Sequence, residues 1–182
     1  MVTPTLSPAV SAPTRLRVPD LLAATDRSAD DVLSGRYDRL LAGARLPTDE
    51  RWYRRLHGDD ELDIWLISWV PGKATELHDH GGSLGALTVV SGALRETRWD
   101  GTGLRDRELA AGDQAGFPLG WVHDVVWAPG ASDAAGNRRS PAPVTLSVHA
   151  YSPPLSAMSY YRVTERNTLR RSRTELTDAP EE

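Results

Sequence analysis

The chain has 182 residues, of which 25% are charged and 40% hydrophobic, so we expect one globular domain with a substantial core. Its formal net charge of −4 argues against a simple basic nucleic-acid-binding protein. The chain contains no cysteine, which excludes disulfide bonds, thiolate metal ligands and a cysteine nucleophile. Any metal site must therefore use His, Asp or Glu.

The two ends of the chain are predicted to be loose segments on either side of one domain. Residues 1–13 are rich in Pro, Ser, Ala and Thr, and residues 173–182 are polar and charged, which is typical of disorder in the first and flexibility in the second. Residues 14–172 are expected to form a single domain. The start of the chain lacks the pattern of a secretory signal, and the longest apolar stretch is far too short to span a bilayer. These features predict a cytoplasmic protein.

The N-terminal third has the pattern of helices. A short segment carries Leu21 and Leu22, and Ser28–Asp31 then resembles a capping box. Apolar residues follow at helical spacing, namely Val32, Leu33, Tyr37, Leu40 and Leu41. We therefore expect a helix that begins near Ser28 and ends at Gly43.

After Arg51 the pattern changes to short apolar or alternating runs that are separated by Gly, Pro and Asp. The runs predict strands at Ile64–Val70, Ala86–Val90, Leu94–Trp99, Gln114–Phe117, Val122–Trp127 and Val144–Tyr151. Six strands at close spacing favour a mainly β sandwich or small barrel. The absence of long helices between them argues against a doubly wound α/β sheet.

The last of these strands has two different faces. Strand side chains alternate, so one face carries Val144, Leu146, Val148 and Ala150, and the other carries Thr145, Ser147, His149 and Tyr151. The polar face either contacts solvent, which is the commoner case in an antiparallel sheet, or lines a cavity. Composition does not decide between these two interpretations.

The five histidines are His57, His78, His80, His123 and His149. His78 and His80 are two residues apart, and on a strand both imidazoles project from the same side. This arrangement suits two neighbouring positions on one metal ion. His57 lies between two predicted strands, and we interpret it as a residue of a surface loop.

Two longer segments place these histidines in a recognisable pattern. GKATELHDHGGSLGALTVVSG starts at Gly72 and contains His78 and His80, and GDQAGFPLGWVH ends at His123. Together they resemble the cupin superfamily, whose fold is a small double-stranded, jelly-roll-like β-barrel. The resemblance implies His78, His80 and His123 as metal ligands. The carboxylate ligand that most cupins add falls here on Gly85, which leaves three neutral imidazoles and up to three open metal positions.

Further segments narrow the resemblance to one family. IWLISWVPGKATELHDHGG, GWVHDV, SVHAYSPP and the RWYRRL segment are together similar to cysteine dioxygenase type I. The resemblance implies a non-haem Fe(II) enzyme that uses O₂ to oxidise L-cysteine to cysteine sulfinic acid, in a pathway of cysteine catabolism. Animal members carry a cysteine that becomes linked to the active-site tyrosine. That position is Gly85 here, so the crosslink cannot form and the chain resembles the bacterial-type members.

The same resemblance implies the roles of several other residues. Arg54 matches the arginine that binds the substrate carboxylate, with Arg55 as its immediate rival, because adjacent strand residues point to opposite faces. Ser147, His149 and Tyr151 match a catalytic, hydrogen-bonded row, in which the Tyr151 phenol also contacts the substrate. These three residues share the polar face of the last predicted strand.

Three alternatives remain open at this point. Another small thiol such as 3-mercaptopropionate is the nearest rival substrate, although relatives that prefer it often carry glutamine where Arg54 stands. A non-catalytic metal-binding cupin sensor is disfavoured by the intact Arg54 and polar row, and a Zn or Mn isomerase by the missing carboxylate ligand. As partners we expect only the thiol and O₂, with no nucleic acid or membrane, and we expect a monomer.

Overall fold

The computed structural model describes residues 14–43, 46–130 and 144–180. The expected disorder of residues 1–13 lies outside this range, as does most of the long insert before Val144. Helix α1 spans Val18–Leu33 and helix α2 spans Asp38–Gly43. The strands are β1 Trp52–Gly58, β2 Asp63–Trp69, β3 His78–Asp79, β4 Leu84–Ser91, β5 Ala93–Trp99, β6 Leu104–Ala110, β7 Gln114–Phe117, β8 His123–Ala128, β9 Thr145–Ser152, β10 Ala157–Val163 and β11 Leu169–Leu176.

The position of the first helix differs from the sequence prediction. Helix α1 begins ten residues before Ser28, with a proline in its first turn and the Asp20 carboxylate accepting a hydrogen bond from the Arg17 backbone N–H at 2.7 Å. Ser28 lies inside the helix and is buried. The predicted capping box at Ser28–Asp31 was therefore wrong: burial of the apolar face of α1 outweighs that local signal.

The strands form two antiparallel sheets, as the mainly β prediction requires. The first sheet has the order β1-β2-β9-β4-β7, and the second has the order β11-β10-β3-β8-β5-β6. All six predicted strands are present within one or two residues of their predicted ends. The sequence did not predict β1, β3, β6, β10 and β11. β3 has only two residues, and β1, β6 and β11 carry several charged residues.

The first sheet is buried on both of its faces. Its outer face packs against α1, with Leu66 and Val148 beside Leu21 in one apolar cluster. Its inner face packs against the second sheet in another cluster, which contains Ile67 and Val125. This double burial explains why every residue of β2 is buried, and why its sequence reads as a continuous apolar run.

The C-terminal residues are more ordered than the sequence predicts. Residues 173–176 belong to β11, which pairs with β10 at the edge of the second sheet. Beyond β11, the Asp178 carbonyl accepts a hydrogen bond from the Arg55 guanidinium at 2.8 Å, and Pro180 is buried. Of the predicted flexible tail at 173–182, residues 173–176 thus belong to a strand and Asp178 contacts β1. Neither of the two helices that the structure describes has the length and apolar character of a transmembrane helix.

Candidate metal centre and its cavity

Three histidines converge between the two sheets. His78 on β3 pairs with His123 at the start of β8, and His80 follows β3 directly. One nitrogen from each ring lies within 4.8 Å of the others, and the Nε2 atoms of His80 and His123 are 3.5 Å apart. All three residues are at most 5% exposed. The structure thus brings together the three residues that the sequence predicts as metal ligands.

The residue between the first two histidines faces away from them. The Asp79 carboxylate accepts a hydrogen bond from the Tyr161 hydroxyl at 2.6 Å and another from the Gly81 backbone N–H at 3.0 Å. Gly81 has a φ of +58°, and a Cβ there would lie 2.8 Å from the Ala157 carbonyl oxygen. The turn after His80 thus requires glycine, and Asp79 ties it to β10.

Two of the three rings have a backing acceptor that fixes their orientation. His78 Nδ1 lies 2.7 Å from the Glu76 carbonyl oxygen. His123 Nδ1 lies 3.1 Å from Oε1 of Glu96. Neither oxygen carries a proton to donate while Glu96 is ionised, so each imidazole donates from Nδ1 and presents its Nε2 lone pair. Such backing acceptors are usual behind metal-binding histidines.

Glu96 is a residue that the sequence reasoning missed. Its side chain is completely buried, and besides His123 it accepts hydrogen bonds from Trp121 Nε1 at 3.0 Å and from Arg107 Nε at 2.5 Å. Glu96 shares a strand face with Leu94, which is also buried. A glutamate on the apolar face of a predicted strand was the signal that could have revealed it.

The ionisation of these groups follows from burial and from their neighbours. Burial lowers the pKa of His78 to about 3 and the pKa of His80 well below its usual value. Burial alone would raise the pKa of Glu96, but hydrogen bonds from His123 and Trp121 outweigh it and lower the pKa to about 2. His78 and His80 are therefore neutral, and Glu96 is ionised.

The predicted polar row on β9 is present and lies beside the three histidines. Ser147 Oγ is 2.9 Å from His149 Nε2, and His149 Nδ1 is 3.4 Å from the Tyr151 hydroxyl. The ring centroids of Tyr151 and His80 are 5.0 Å apart. Of the two interpretations of this face, the structure therefore supports the one in which it lines a cavity.

Trp69 extends this row, and the sequence reasoning did not single it out. Its indole N–H donates to Ser147 Oγ at 2.8 Å, which favours donation by the serine hydroxyl to His149 Nε2. Burial and the charge of Arg51 lower the pKa of His149 well below its usual value, so the ring is neutral. The Nδ1–H of His149 then points to the oxygen of Tyr151, and the phenol proton is directed elsewhere.

The histidines and the polar row line one small cavity between the sheets. Its volume is about 20 Å³, and its wall consists of Arg51, Ile67, Trp69, Thr75, His78, His80, His123, Val125, His149, Tyr151, Met158 and Pro180. This is room for about one water molecule. Apolar side chains on one part of the wall and hydrogen-bonding groups on another are typical of a small-molecule site.

The arginine of this cavity is Arg51, and the predicted Arg54 does not reach it. Arg54 is exposed and pairs with Leu66, whose side chain points to the outer face of the sheet. Tyr53 pairs with Ile67, which points inward. Arg51 is two residues before Tyr53 and therefore lies on the same inward side of the segment. Alternation along this segment therefore directs Arg51 toward the inner face and Arg54 toward the outer face.

The neighbouring arginines contact different partners. The guanidinium carbon of Arg51 lies 4.1 Å from the centroid of the Trp69 ring, inside the cavity wall. Arg55 instead stacks on Trp65 and lies 3.5 Å from the Asp63 carboxylate, outside that wall. His57, predicted in a surface loop, is exposed as expected, but it belongs to β1 and contacts the exposed Asp59.

Gly85 leaves no room for a further ligand beside His80. It pairs with Tyr151 across the sheet, and a Cβ added there would lie 3.1 Å from His80 Nδ1 and 3.0 Å from the Phe117 ring. A carboxylate or thiol at this position would need either ring to move. Among the described residues, the group that could hold a metal ion here consists of the three imidazoles.

The residues present fit a divalent first-row transition metal. Three neutral imidazoles from two adjacent strand segments and the following turn can occupy one side of such an ion and leave other positions open. Two of the rings are held by acceptors behind them, as described above for His78 and His123. The site can therefore hold a metal ion.

Comparison with known proteins identifies a family and a group of related folds. The family described as cysteine dioxygenase type I matches residues 3–164. A double-stranded β-helix protein from Klebsiella pneumoniae is 18% identical, with a TM-score of 0.49 over 64% of this chain and 84% of that chain. KdgF from Halomonas sp. is also 18% identical, with a TM-score of 0.47 over 62% and 90%. A cupin superfamily protein from Desulfitobacterium hafniense is 13% identical, with a TM-score of 0.46 over 62% and 86%.

Proposed function

Because this chain belongs to the cysteine dioxygenase type I family, we propose that it is a thiol dioxygenase that oxidises L-cysteine to cysteine sulfinic acid with Fe(II) and O₂. Both oxygen atoms of O₂ end on the sulfur, which loses four electrons while O₂ gains four. No further reductant or oxidant is needed. The observation that supports this most is the meeting of three histidines, Arg51 and Tyr151 in one buried cavity.

The metal ligands in this proposal are His78, His80 and His123. When bound, Fe(II) supplies open coordination positions for the thiol and O₂ and the redox chemistry that joins them. The three imidazoles are neutral donors, so the site keeps the full charge of the ion and favours an anionic sulfur over a neutral one. With the ion bound, an anionic thiolate would supply the negative charge that a carboxylate ligand supplies in other cupins.

Arg51 binds the carboxylate of the substrate. Its guanidinium lies in the cavity wall and stacks on Trp69, which limits its rotamers and aims its N–H groups. A planar guanidinium can hold a carboxylate with two parallel hydrogen bonds. Arg51 therefore replaces Arg54 in the role that the sequence comparison assigned.

Tyr151 orients the reacting groups from the other side of the cavity. His149 donates to the phenol oxygen, and Ser147 and Trp69 hold His149 in the required tautomer. The Tyr151 hydroxyl can then donate toward a sulfur or oxygen atom that carries negative charge. The row acts through hydrogen-bond direction and needs no change of protonation in His149.

The cavity must widen when the substrate enters. A volume of about 20 Å³ holds one water molecule, and L-cysteine is larger. Ile67, Val125 and Met158 supply the apolar part of the wall, and Pro180 completes it from the segment after β11. These side chains keep a bound thiol dry, which strengthens its interactions with Arg51 and Tyr151.

The proposal is tested by oxygen consumption of the Fe(II)-loaded protein with L-cysteine, 3-mercaptopropionate and cysteamine. We expect the highest kcat/KM with L-cysteine, and a sulfinic acid that carries both atoms of isotopically labelled O₂. Higher turnover with 3-mercaptopropionate would reassign the substrate, and higher turnover with cysteamine would refute a carboxylate-binding arginine. No turnover with any of these thiols, at full iron occupancy, would favour the sensor alternative.

A further inference from the structure

Glu96 lies behind the His123 ring, on the side away from the other two histidines. Its carboxylate is completely buried, and an ion at such a depth is stable only when donors surround it. The carboxylate has three of them: His123, Trp121 and Arg107. No step of the proposed reaction uses this carboxylate.

The hydrogen bonds around Glu96 determine which nitrogen of His123 carries the proton. Trp121 Nε1 and Arg107 Nε can only donate, so the carboxylate acts as an acceptor toward both. Oε1, which accepts from Trp121 at 3.0 Å, is also the oxygen that lies 3.1 Å from His123 Nδ1. His123 therefore donates from Nδ1, and its Nε2 lone pair is directed toward His80, whose Nε2 lies at 3.5 Å.

We propose that Glu96 is a positioning residue that acts through His123 on the metal. The carboxylate fixes the tautomer and the angle of the His123 ring, and it places one negative charge directly behind a ligand that is otherwise neutral. This inference rests on the proposed metal-binding role of His123. Position 85, where most cupins have a carboxylate ligand, is glycine here. The Glu96 carboxylate would instead supply a negative charge from behind the His123 ring.

A purely structural role for Glu96 is the competing explanation. Arg107 lies on β6 and Trp121 just before β8, so the carboxylate also connects three neighbouring segments of the second sheet. A structural role predicts a change in thermal stability alone. A positioning role predicts changes in the His123 tautomer and in metal affinity as well.

The first test needs no variant. Heteronuclear NMR of the imidazole nitrogens in the metal-free protein identifies the tautomer of each neutral histidine. We expect His123 to carry its proton on Nδ1, as His78 does through its bond to the Glu76 carbonyl. An Nε2–H tautomer at His123 would overturn the proposal, whether or not any variant folds.

The second test is Glu96→Gln, with Glu108→Gln as the matched control on the adjacent strand, where Glu108 is exposed. Co(II) affinity is measured by competition with a chelator, without thiol or O₂. Loss of such a backing carboxylate typically weakens metal binding by about 10–100-fold, and we expect this for Glu96→Gln together with mixed His123 tautomers. Glu108→Gln is expected to match the unsubstituted protein.

The outcomes separate this inference from the proposed function. Unchanged Co(II) affinity in a folded Glu96→Gln protein would refute the positioning role, even if L-cysteine is oxidised. Weakened affinity with a shifted tautomer would support it, even if the physiological substrate proves to be a different thiol. An equal loss of affinity in Glu108→Gln would also overturn it, because the effect would then be non-specific.

Discussion

The two faces of the first sheet use the same strands for different purposes. On the outer face, Leu66 and Val148 pack against α1 and bury apolar surface. On the inner face, Trp69, Ser147 and His149 form a hydrogen-bonded row beside the three histidines. Neighbouring residues of one strand point to opposite faces. A residue that packs against α1 is therefore followed directly by one that faces the histidines, and substitutions at the two positions should affect stability and activity separately. The predictions below test that separation.

The largest effect is expected at His123, which faces the inner side. His123→Ala removes one of three ligands and one of the three donors around Glu96, so metal affinity should fall by more than the ~100-fold typical of a lost backing group. Metal content after gel filtration measures this. His57→Ala, at an exposed histidine, serves as the control and should retain its metal. Full retention by His123→Ala would remove His123 from the ligand set.

The second effect belongs to the outer face. Leu21 is completely buried against the first sheet, so Leu21→Ala should lower the free energy of unfolding by about 2–5 kcal/mol. Turnover per bound metal ion should not change. Denaturant unfolding and steady-state kinetics check the two halves of this prediction. Leu33→Ala on the exposed side of α1 should change neither quantity, and lost turnover in Leu21→Ala would contradict the separation of the faces.

The third effect distinguishes the two arginines. Arg51→Gln removes a charged hydrogen-bond donor from the cavity, which costs about 1.5–3 kcal/mol in binding the substrate, so kcat/KM for L-cysteine should fall about 10–100-fold. The matched control is Arg54→Gln, which removes an exposed charge from the adjacent strand and should leave kcat/KM unchanged. The reverse result would restore the role first predicted for Arg54.

The smallest effect is expected at Ser147. Ser147→Ala leaves the buried Trp69 N–H and His149 Nε2 without their partner, which costs about 1–3 kcal/mol of stability. Without the serine, neither nitrogen of His149 is fixed as the one that carries the proton. The hydrogen bond from His149 to Tyr151 is then weakened, so kcat should fall while metal affinity is retained. Ser159→Ala, at a buried serine of β10, should show only a loss of stability. Equal kcat in the two variants would indicate that the row is structural.

Much of this arrangement could be predicted from the sequence because it depends on short-range patterns. The spacing of His78 and His80 and the alternation along β9 each fix a face within one strand. The mainly β fold followed from turn residues between short apolar runs. In these regions the local pattern and the tertiary structure agree.

The predictions failed where the determinant lies far away in the sequence. Arg54 and Arg51 both lie in one charged segment, and only the pairing of Tyr53 with Ile67 shows which of them faces inward. Glu96 has no local motif, and its partners come from β6, β8 and the loop before β8. Ser28 has a capping signal, but the buried face of α1 continues past it.

The glycine at position 85 also restricts how this site could change during evolution. A side chain there would displace His80 or Phe117, and the Phe117 ring lies 4.2 Å from the His123 ring. A single mutation to cysteine or glutamate would thus press on His80 directly, and on His123 through Phe117, while it adds a second type of donor. Variants that acquire a side chain at position 85 therefore require small shifts of the Phe117 and His80 rings.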